Sequence, residues 1–342
     1  MTEQDSARAA STLRGIAYGL RASQALLVAA QLNVADHLAQ GPLTAPELAH
    51  VTGAKAAALG RVMRALCALG VFGESSSGHF SLNAAGQLLR SDMPGSFRSG
   101  VLLLAGGVRL RCWSDLLETV RTGVSASARL LGMPLFDFYA AHPEESEIND
   151  DAMRAFSAAH ADALLETVEF PEDGVVVDVG GGTGALLAAI LAAHPRLYGI
   201  LYDRPDVVPR ARRVLSESRV ADRCAVVGGS FFDGVPRHGS VYILKQIIHD
   251  WDDERAGAIL RCCRQGMPPG ARLLIIERRL PERAEPGPAA EAFLSDLGML
   301  VMTGGRERTE AELAMLLANA GFKHLRTLAT SCPLSVFEAL PS

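Results

Sequence analysis

The chain has 342 residues and a formal net charge of −5, with 49% hydrophobic and 21% charged residues. This composition excludes a wholly disordered chain, and the acidic balance argues against a protein built to neutralise nucleic-acid phosphates. At roughly 100–200 residues per domain the length implies two domains, large enough to fold without disulfide staples.

Six cysteines (Cys67, Cys112, Cys224, Cys262, Cys263 and Cys332) form no C-x-x-C pair and have no accompanying histidine cluster. No metal is expected, and the thiols read as those of a reducing, cytoplasmic compartment. The N-terminal residues lack the apolar stretch of a signal peptide. No run of 18 apolar residues announces a membrane span.

In chain order, 16–38 is apolar at helical spacing and predicts one helix, broken by Gly41-Pro42. Thr44, followed by Pro46 and Glu47, reads as the N-cap and capping box of a second helix. Residues 59–72 predict a third, stopped by Gly70, and 73–83 a polar turn followed by a short strand. Three helices and a wing outline a winged helix, a module that often binds DNA. Between Pro42 and Arg90, however, the only Lys and Arg residues are Lys55, Arg61, Arg64 and Arg90, thin cover for a phosphate backbone. A structural or dimerising role fits better. Residues 95–165 predict further helices carrying Phe97, Trp113, Phe136, Phe138, Tyr139, Met153 and Phe156, core residues or walls of an apolar pocket.

From residue 174 the pattern changes. The β-branched runs 174–179, 198–202, 223–228, 240–245 and 271–277 predict strands, with helices at 185–193, 207–218 and 254–265. Helices follow at 293–301 and 309–320, and a last strand at 334–339. Strands alternating with helices predict a parallel sheet covered on both faces. Ligands of such sheets bind beyond the carboxyl ends of the strands. Those ends carry Asp178 and the loop Gly180-Gly181-Gly182-Thr183-Gly184, then Asp203, Ser230-Phe231, Lys245 with His249-Asp250-Trp251, and Glu277.

The glycine loop departs from the dinucleotide spacing, and an acid precedes it. Glycines admit a ligand close to the backbone. A carboxylate there disfavours pyrophosphate and favours a cation such as the sulfonium of S-adenosylmethionine. Asp203, about 20 residues on, is placed to accept ribose hydroxyls. A nicotinamide cofactor, or glycines serving only a tight turn, are the alternatives. His249 is a candidate general base, since imidazole ordinarily titrates near neutrality. Glu277 and Glu307 are candidate carboxylates to orient it. Read singly, Glu277 is also a solvated strand end, and Glu307 an N-cap or a surface partner of Arg306 or Arg308.

The stretches 178–184, 202–208, 228–236, 244–253, 273–278 and 304–322 together resemble the plant-type, or acetylserotonin-type, small-molecule O-methyltransferases, with their bacterial natural-product branch. The resemblance spans nearly the whole chain. It implies a Rossmann-like class I methyltransferase domain with a seven-stranded, mostly parallel sheet at 171–342. A helical linker contributing to the acceptor pocket would occupy 96–170, and a winged-helix-like dimerisation domain 1–95. It implies S-adenosylmethionine as cofactor, S-adenosylhomocysteine as product, no metal, a homodimer, and a small aromatic acceptor of specialised metabolism. Asp178, Gly180, Gly182, Asp203, Ser230, Phe231, Lys245 and Trp251 would bind the cofactor. His249 would be the base, with Glu277 and Glu307 flanking it. Met153, Phe156, Met299 and Asp296 would line the acceptor pocket. Ser230 stands where the family usually has Asp, and Phe231 where it often has Met. The alternative activities are a hydroxylase- or decarboxylase-like enzyme of the same fold and a ligand-sensing DNA-binding regulator.

Overall fold

The computed structural model describes residues 2–93 and 95–342. Internal contacts divide the chain into two compact units, Met1–Leu110 and Arg111–Ser342.

In the first unit, Thr2 and Asp5 form a capping box that starts a helix at Glu3, earlier than the apolar pattern suggests, and the helix runs to Gln31. The single helix expected over 16–38 is two. Asn33 takes a left-handed conformation (φ 49°), and a short helix Val34–Leu38 restarts beyond it. Asn tolerates that region better than most residues because its short side chain crowds the backbone little. The Thr44–Glu47 capping box forms as expected and opens the helix Ala45–Thr52. The next helix, Ala56–Ala68, stops before Gly70 (φ 81°). The wing holds three short antiparallel strands rather than one. They are β1 (Leu43–Thr44), β2 (Phe72–Glu74) and β3 (His79–Leu82), in the order β1-β3-β2. Leu38, Leu48, Leu59, Met63, Leu66, Phe72 and Phe80 fill the core between helices and wing. Each such large side chain, fully buried, contributes roughly 1.5–3 kcal/mol over an exposed one.

The second unit begins with helices and then builds one seven-stranded sheet. Its strands are β4 (Gly174–Val179), β5 (Leu197–Asp203), β6 (Cys224–Gly228), β7 (Val241–Lys245), β8 (Arg272–Glu277), β9 (Phe322–Ala329) and β10 (Ser335–Pro341). The order is β6-β5-β4-β7-β8-β10-β9, parallel except that β10 runs antiparallel to both neighbours. Residue patterns locate six of these strands. β9 escapes them because it is an edge strand whose Lys323, Leu325 and Arg326 are exposed, so no apolar run marks it.

Alternate residues of each strand serve opposite cores, as the pleat requires. Val177, Leu244 and Ile275 pack against Ile259, Leu260 and Leu317 of the helices Asp253–Gly266 and Glu310–Asn319. Val176, Ile243 and Leu274 pack against Leu187, Ile190 and Leu164 on the other face. The chain runs outward from β4 to β6 and then crosses back to β7 beside β4. The carboxyl ends of β4 and β7 therefore flank the point where strand order reverses, the place such sheets bind ligands.

Candidate active site

His249 lies in a single 3-10 turn, Ile248–Asp250, just beyond β7, and is only 7% exposed. Its Nδ1 faces two buried carboxylates, Glu307 Oε1 at 3.1 Å and Glu277 Oε2 at 3.3 Å. An Nδ1–H donated to Glu307 fixes the tautomer, so in the neutral ring Nε2 is the atom left to accept a proton. The nearest acid to Nε2 is Asp250, at 3.9 Å, beyond hydrogen-bonding distance. Burial alone would lower the imidazole pKa, but the charges of Glu277 and Glu307 override it and push it up to about 10. The near-neutral titration expected of a lone histidine is thus corrected: with two carboxylates on one nitrogen, the imidazolium is the resting form at neutral pH.

The carboxylates differ. Glu277 ends β8, and its Oε1 accepts the backbone N–H groups of Ile247, Ile248 and His249 at 3.1, 2.9 and 3.3 Å. Burial, with Glu307 close by, pushes its pKa up to about 7 against the pull of His249. Burial also works to raise Glu307, but the imidazolium charge, the His249 hydrogen bond and the Ser295 hydroxyl at 2.8 Å hold it below its ordinary value. Neither bland reading of these acids holds. Glu277 is 4% and Glu307 1% exposed, and Thr309, not Glu307, caps the following helix. Arg306 and Arg308 pair with Glu312 and Asp253 rather than with Glu307.

The glycine loop closes over the end of β4. Gly180 and Gly182 have φ of 73° and 59°, conformations that side chains rarely adopt. A Cβ on Gly181 would stand 2.6 Å from the Asp178 carboxylate, which is buried behind the loop with its pKa raised by burial to about 7. Asp203 accepts the N–H of Gly182 at 2.7 Å on one oxygen and that of Arg204 at 2.7 Å on the other. Each oxygen keeps a lone pair for a ribose hydroxyl. Burial raises its pKa against those two bonds. The Ser230 hydroxyl accepts the Phe232 N–H at 3.2 Å. Phe231 and Phe232 meet the Trp251 ring edge-on, at 6.0 and 4.9 Å between centroids. Lys245 Nζ donates to Ser157 Oγ at 3.1 Å and to Gln246 Oε1 at 2.7 Å, and burial lowers its pKa to about 8.

Met153 and Phe156 share the helix Pro143–Thr167 with Ser157, and all three are half-buried, as is Met299 of the helix Ala290–Met302. The Asp296 carboxylate accepts the Glu307 N–H at 2.9 Å, so this residue also braces the segment that carries Glu307. Ser157, Ser295, Gly305 and Arg308 are parts of the arrangement that single-residue reasoning misses. Gly305 and Arg308 had a signal only in lying with Glu307 in the stretch 304–322, which does not show their backbone contacts.

Residues 113–323 match the O-methyltransferase domain and residues 15–92 the O-methyltransferase dimerisation domain. The chain belongs to the O-methyltransferase family. It is 41% identical to the phenazine O-methyltransferase PhzM of Lysobacter antibioticus, over 100% of both chains. It is 35% identical to the aclacinomycin 10-hydroxylase RdmB of Streptomyces purpurascens, over 87% of this chain and 80% of that protein. The crystal structure of CalO1, a methyltransferase in calicheamicin biosynthesis in its SAH-bound form, superposes with a TM-score of 0.85 at 36% identity over 100% of both chains. This enzyme is accordingly a methyltransferase that uses S-adenosylmethionine. The residues present fit that cofactor. Asp178 and Asp203 flank the glycine loop and the loop itself carries no basic residue, an arrangement suited to a sulfonium and unsuited to a pyrophosphate.

Proposed function

We propose that this enzyme transfers a methyl group to a phenolic hydroxyl of a small, planar aromatic or polycyclic metabolite, with His249 Nε2 as the proton acceptor. The observation that carries the reading is the pairing of two buried carboxylates with Nδ1, which holds the Nδ1 proton and leaves Nε2 as the ring atom that exchanges a proton with the acceptor. Phenazine, the tricyclic aromatic named for the 41% identical relative, is the acceptor type to try first.

Bound S-adenosylmethionine supplies an electrophilic methyl group. Asp203 and the loop Gly180–Gly184 would hold its ribose and methionine portions. Phe231 and Trp251 would offer flat faces to its adenine, with Ser230 and Lys245 alongside. Met153, Phe156 and Met299 would wall the acceptor site, with Asp296 at its edge, and exclude water. His249 takes the hydroxyl proton. A neutral imidazole with a phenol, or an imidazolium with a phenolate, gives the same reactive complex. Glu307 and Glu277 stabilise the imidazolium that results.

The working form is a homodimer through the N-terminal unit. The dimerisation-domain match supports this, as do Leu13, Ile16, Tyr18 and Leu20, all exposed on the helix Glu3–Gln31. Among the described residues no helix is long and apolar enough to cross a membrane. The six cysteines are free thiols, as in a reducing, cytoplasmic compartment.

The test is incubation with S-adenosylmethionine and a hydroxyphenazine, read by mass spectrometry. The reading expects a gain of one CH2 unit on the acceptor and S-adenosylhomocysteine in equal amount. A gain of one oxygen atom, the outcome a hydroxylase such as the 35% identical relative would give, overturns it.

A further inference from the structure

The turn that carries His249 is too short to hold itself. Residues 248–250 make one 3-10 turn, and Gln246, just before it, sits at φ 53°, a left-handed conformation unfavourable for a residue with a side chain. Its shape is imposed from two sides. Glu277 takes the N–H groups of residues 247–249. Ile247 O accepts the Asp250 N–H within the turn, and the carbonyls of Ile248, His249 and Trp251 turn to one segment, Gly305–Arg308. Arg306 N–H donates to His249 O at 2.8 Å. The Arg308 guanidinium donates to Ile248 O at 3.0 Å through one terminal nitrogen and to Trp251 O at 2.9 Å through the other. Nε and one terminal nitrogen of the same group reach Asp253 Oδ1 at 3.0 and 2.8 Å.

Two further features make this a fitted clamp. Arg308 is only 5% exposed, and burying a guanidinium is costly unless its donors are placed; here it makes five hydrogen bonds, the fifth to Arg306 O at 3.4 Å. Gly305 lies against the turn backbone to backbone. A Cβ there would collide with His249 O and stand 2.6 Å from Trp251 N. The same segment delivers the Glu307 carboxylate to Nδ1 from between the two arginines.

We infer that Arg308 is a positioning residue for His249, fixing the backbone on both sides of the imidazole so that Nε2 meets the acceptor oxygen. The inference rests on the assignment of His249 as base. A planar fork bridges two carbonyls and a carboxylate at fixed separations, and a lysine ammonium, a point charge on a flexible stem, does not. Loss of the fork lets the turn relax, and displacement of a reacting group by about 1 Å costs on the order of 100-fold in rate.

The experiment is a double-mutant cycle on the full-length enzyme, with Arg308→Ala, Arg308→Lys, His249→Ala and the His249→Ala/Arg308→Ala pair. It reads kcat and KM for methyl transfer to a hydroxyphenazine, together with S-adenosylhomocysteine affinity by calorimetry. The clamp predicts that Arg308→Ala and Arg308→Lys each lower kcat by about tenfold or more, with cofactor affinity within about twofold of wild type. It predicts that Arg308→Ala brings no further loss once His249 is gone, because a positioning residue acts only through the group it positions. An equal fold-loss with and without His249, or full activity in Arg308→Lys, overturns it. If Arg308→Ala does not fold, Asp253→Asn tests the outer anchor. This exposed side chain holds the fork from solvent, and its effect must also vanish in the His249→Ala background. Should His249→Ala itself keep wild-type turnover, the base assignment fails and the clamp with it. A loss in His249→Ala with none in Arg308→Ala defeats the clamp alone.

Discussion

Glu277 and His249 are joined twice: Glu277 Oε1 accepts the His249 backbone N–H at 3.3 Å while Oε2 lies 3.3 Å from the ring Nδ1. One carboxylate therefore sets both where the residue's backbone sits and how its ring is charged. Glu307 contributes only to the ring. The two acids flanking His249 thus have separable consequences, and each can be addressed by substitution.

Glu307→Gln separates charge from position. Removing this carboxylate removes one of the charges that raise the imidazole, so the His249 pKa falls from about 10. With His249 as the proposed proton acceptor, a ternary complex with protons on both His249 and the acceptor is inactive, and loss of one proton makes it reactive. Turnover therefore rises with pH, and the rising limb in Glu307→Gln lies at lower pH than in wild type. A kcat profile from about pH 6 to about pH 10 checks this. A limb that stays in place, or moves up, contradicts the electrostatic role of Glu307.

Asp203→Asn tests the cofactor site. The amide cannot accept from both Gly182 and Arg204 as the carboxylate does, because one of its two terminal groups is a donor. Affinity for S-adenosylhomocysteine is expected to fall about 10- to 100-fold, the scale of lost hydrogen bonds to a charged group. Titration calorimetry reads it directly, and unchanged affinity removes Asp203 from the cofactor site.

His249, Glu277 and Glu307 also bring one ligand atom each within 4.8 Å of one another, a grouping able to hold a cation. The hydrogen bonds assign these atoms otherwise. Nδ1 carries the proton shared with Glu307, and Glu277 Oε1 already accepts three amides. Turnover should be the same after prolonged chelation as before it. Loss on chelation, restored by a divalent ion, would make the cluster a metal centre.

Thr44→Ala addresses the fold away from the site. It removes the Thr44 side of a capping box whose Glu47 N–H and Thr44 hydroxyl are paired. Stability should drop by about 1 kcal/mol in urea denaturation, with turnover unchanged. An unaltered midpoint would mean that the cap contributes nothing.

Much of the second unit was legible because its strands are continuous apolar runs and their ends carry the polar groups. Six strands and the placing of His249 and Glu277 at one sheet edge follow from that pattern, Glu307 was read from its loop, and in the first unit local spacing alone marked the capping box at Thr44. What stayed hidden depends on tertiary contacts. β9 is an edge strand with no apolar run. The break at Asn33 is one left-handed residue inside an apolar helix pattern. The imidazole pKa depends on two acids 28 and 58 residues away in sequence. Arg308 acts through backbone carbonyls, which no residue pattern displays.

Proton transfer to His249 is read most simply from single-turnover methyl transfer by wild type and His249→Ala, with S-adenosylmethionine and a hydroxyphenazine, across the same pH range. With His249 as proton acceptor, the product is methylated, the variant falls by about 10²- to 10⁴-fold near neutral pH, and its rising limb is set by the acceptor's own ionisation. Equal rates with the same pH dependence in both proteins would show that His249 does not take the proton.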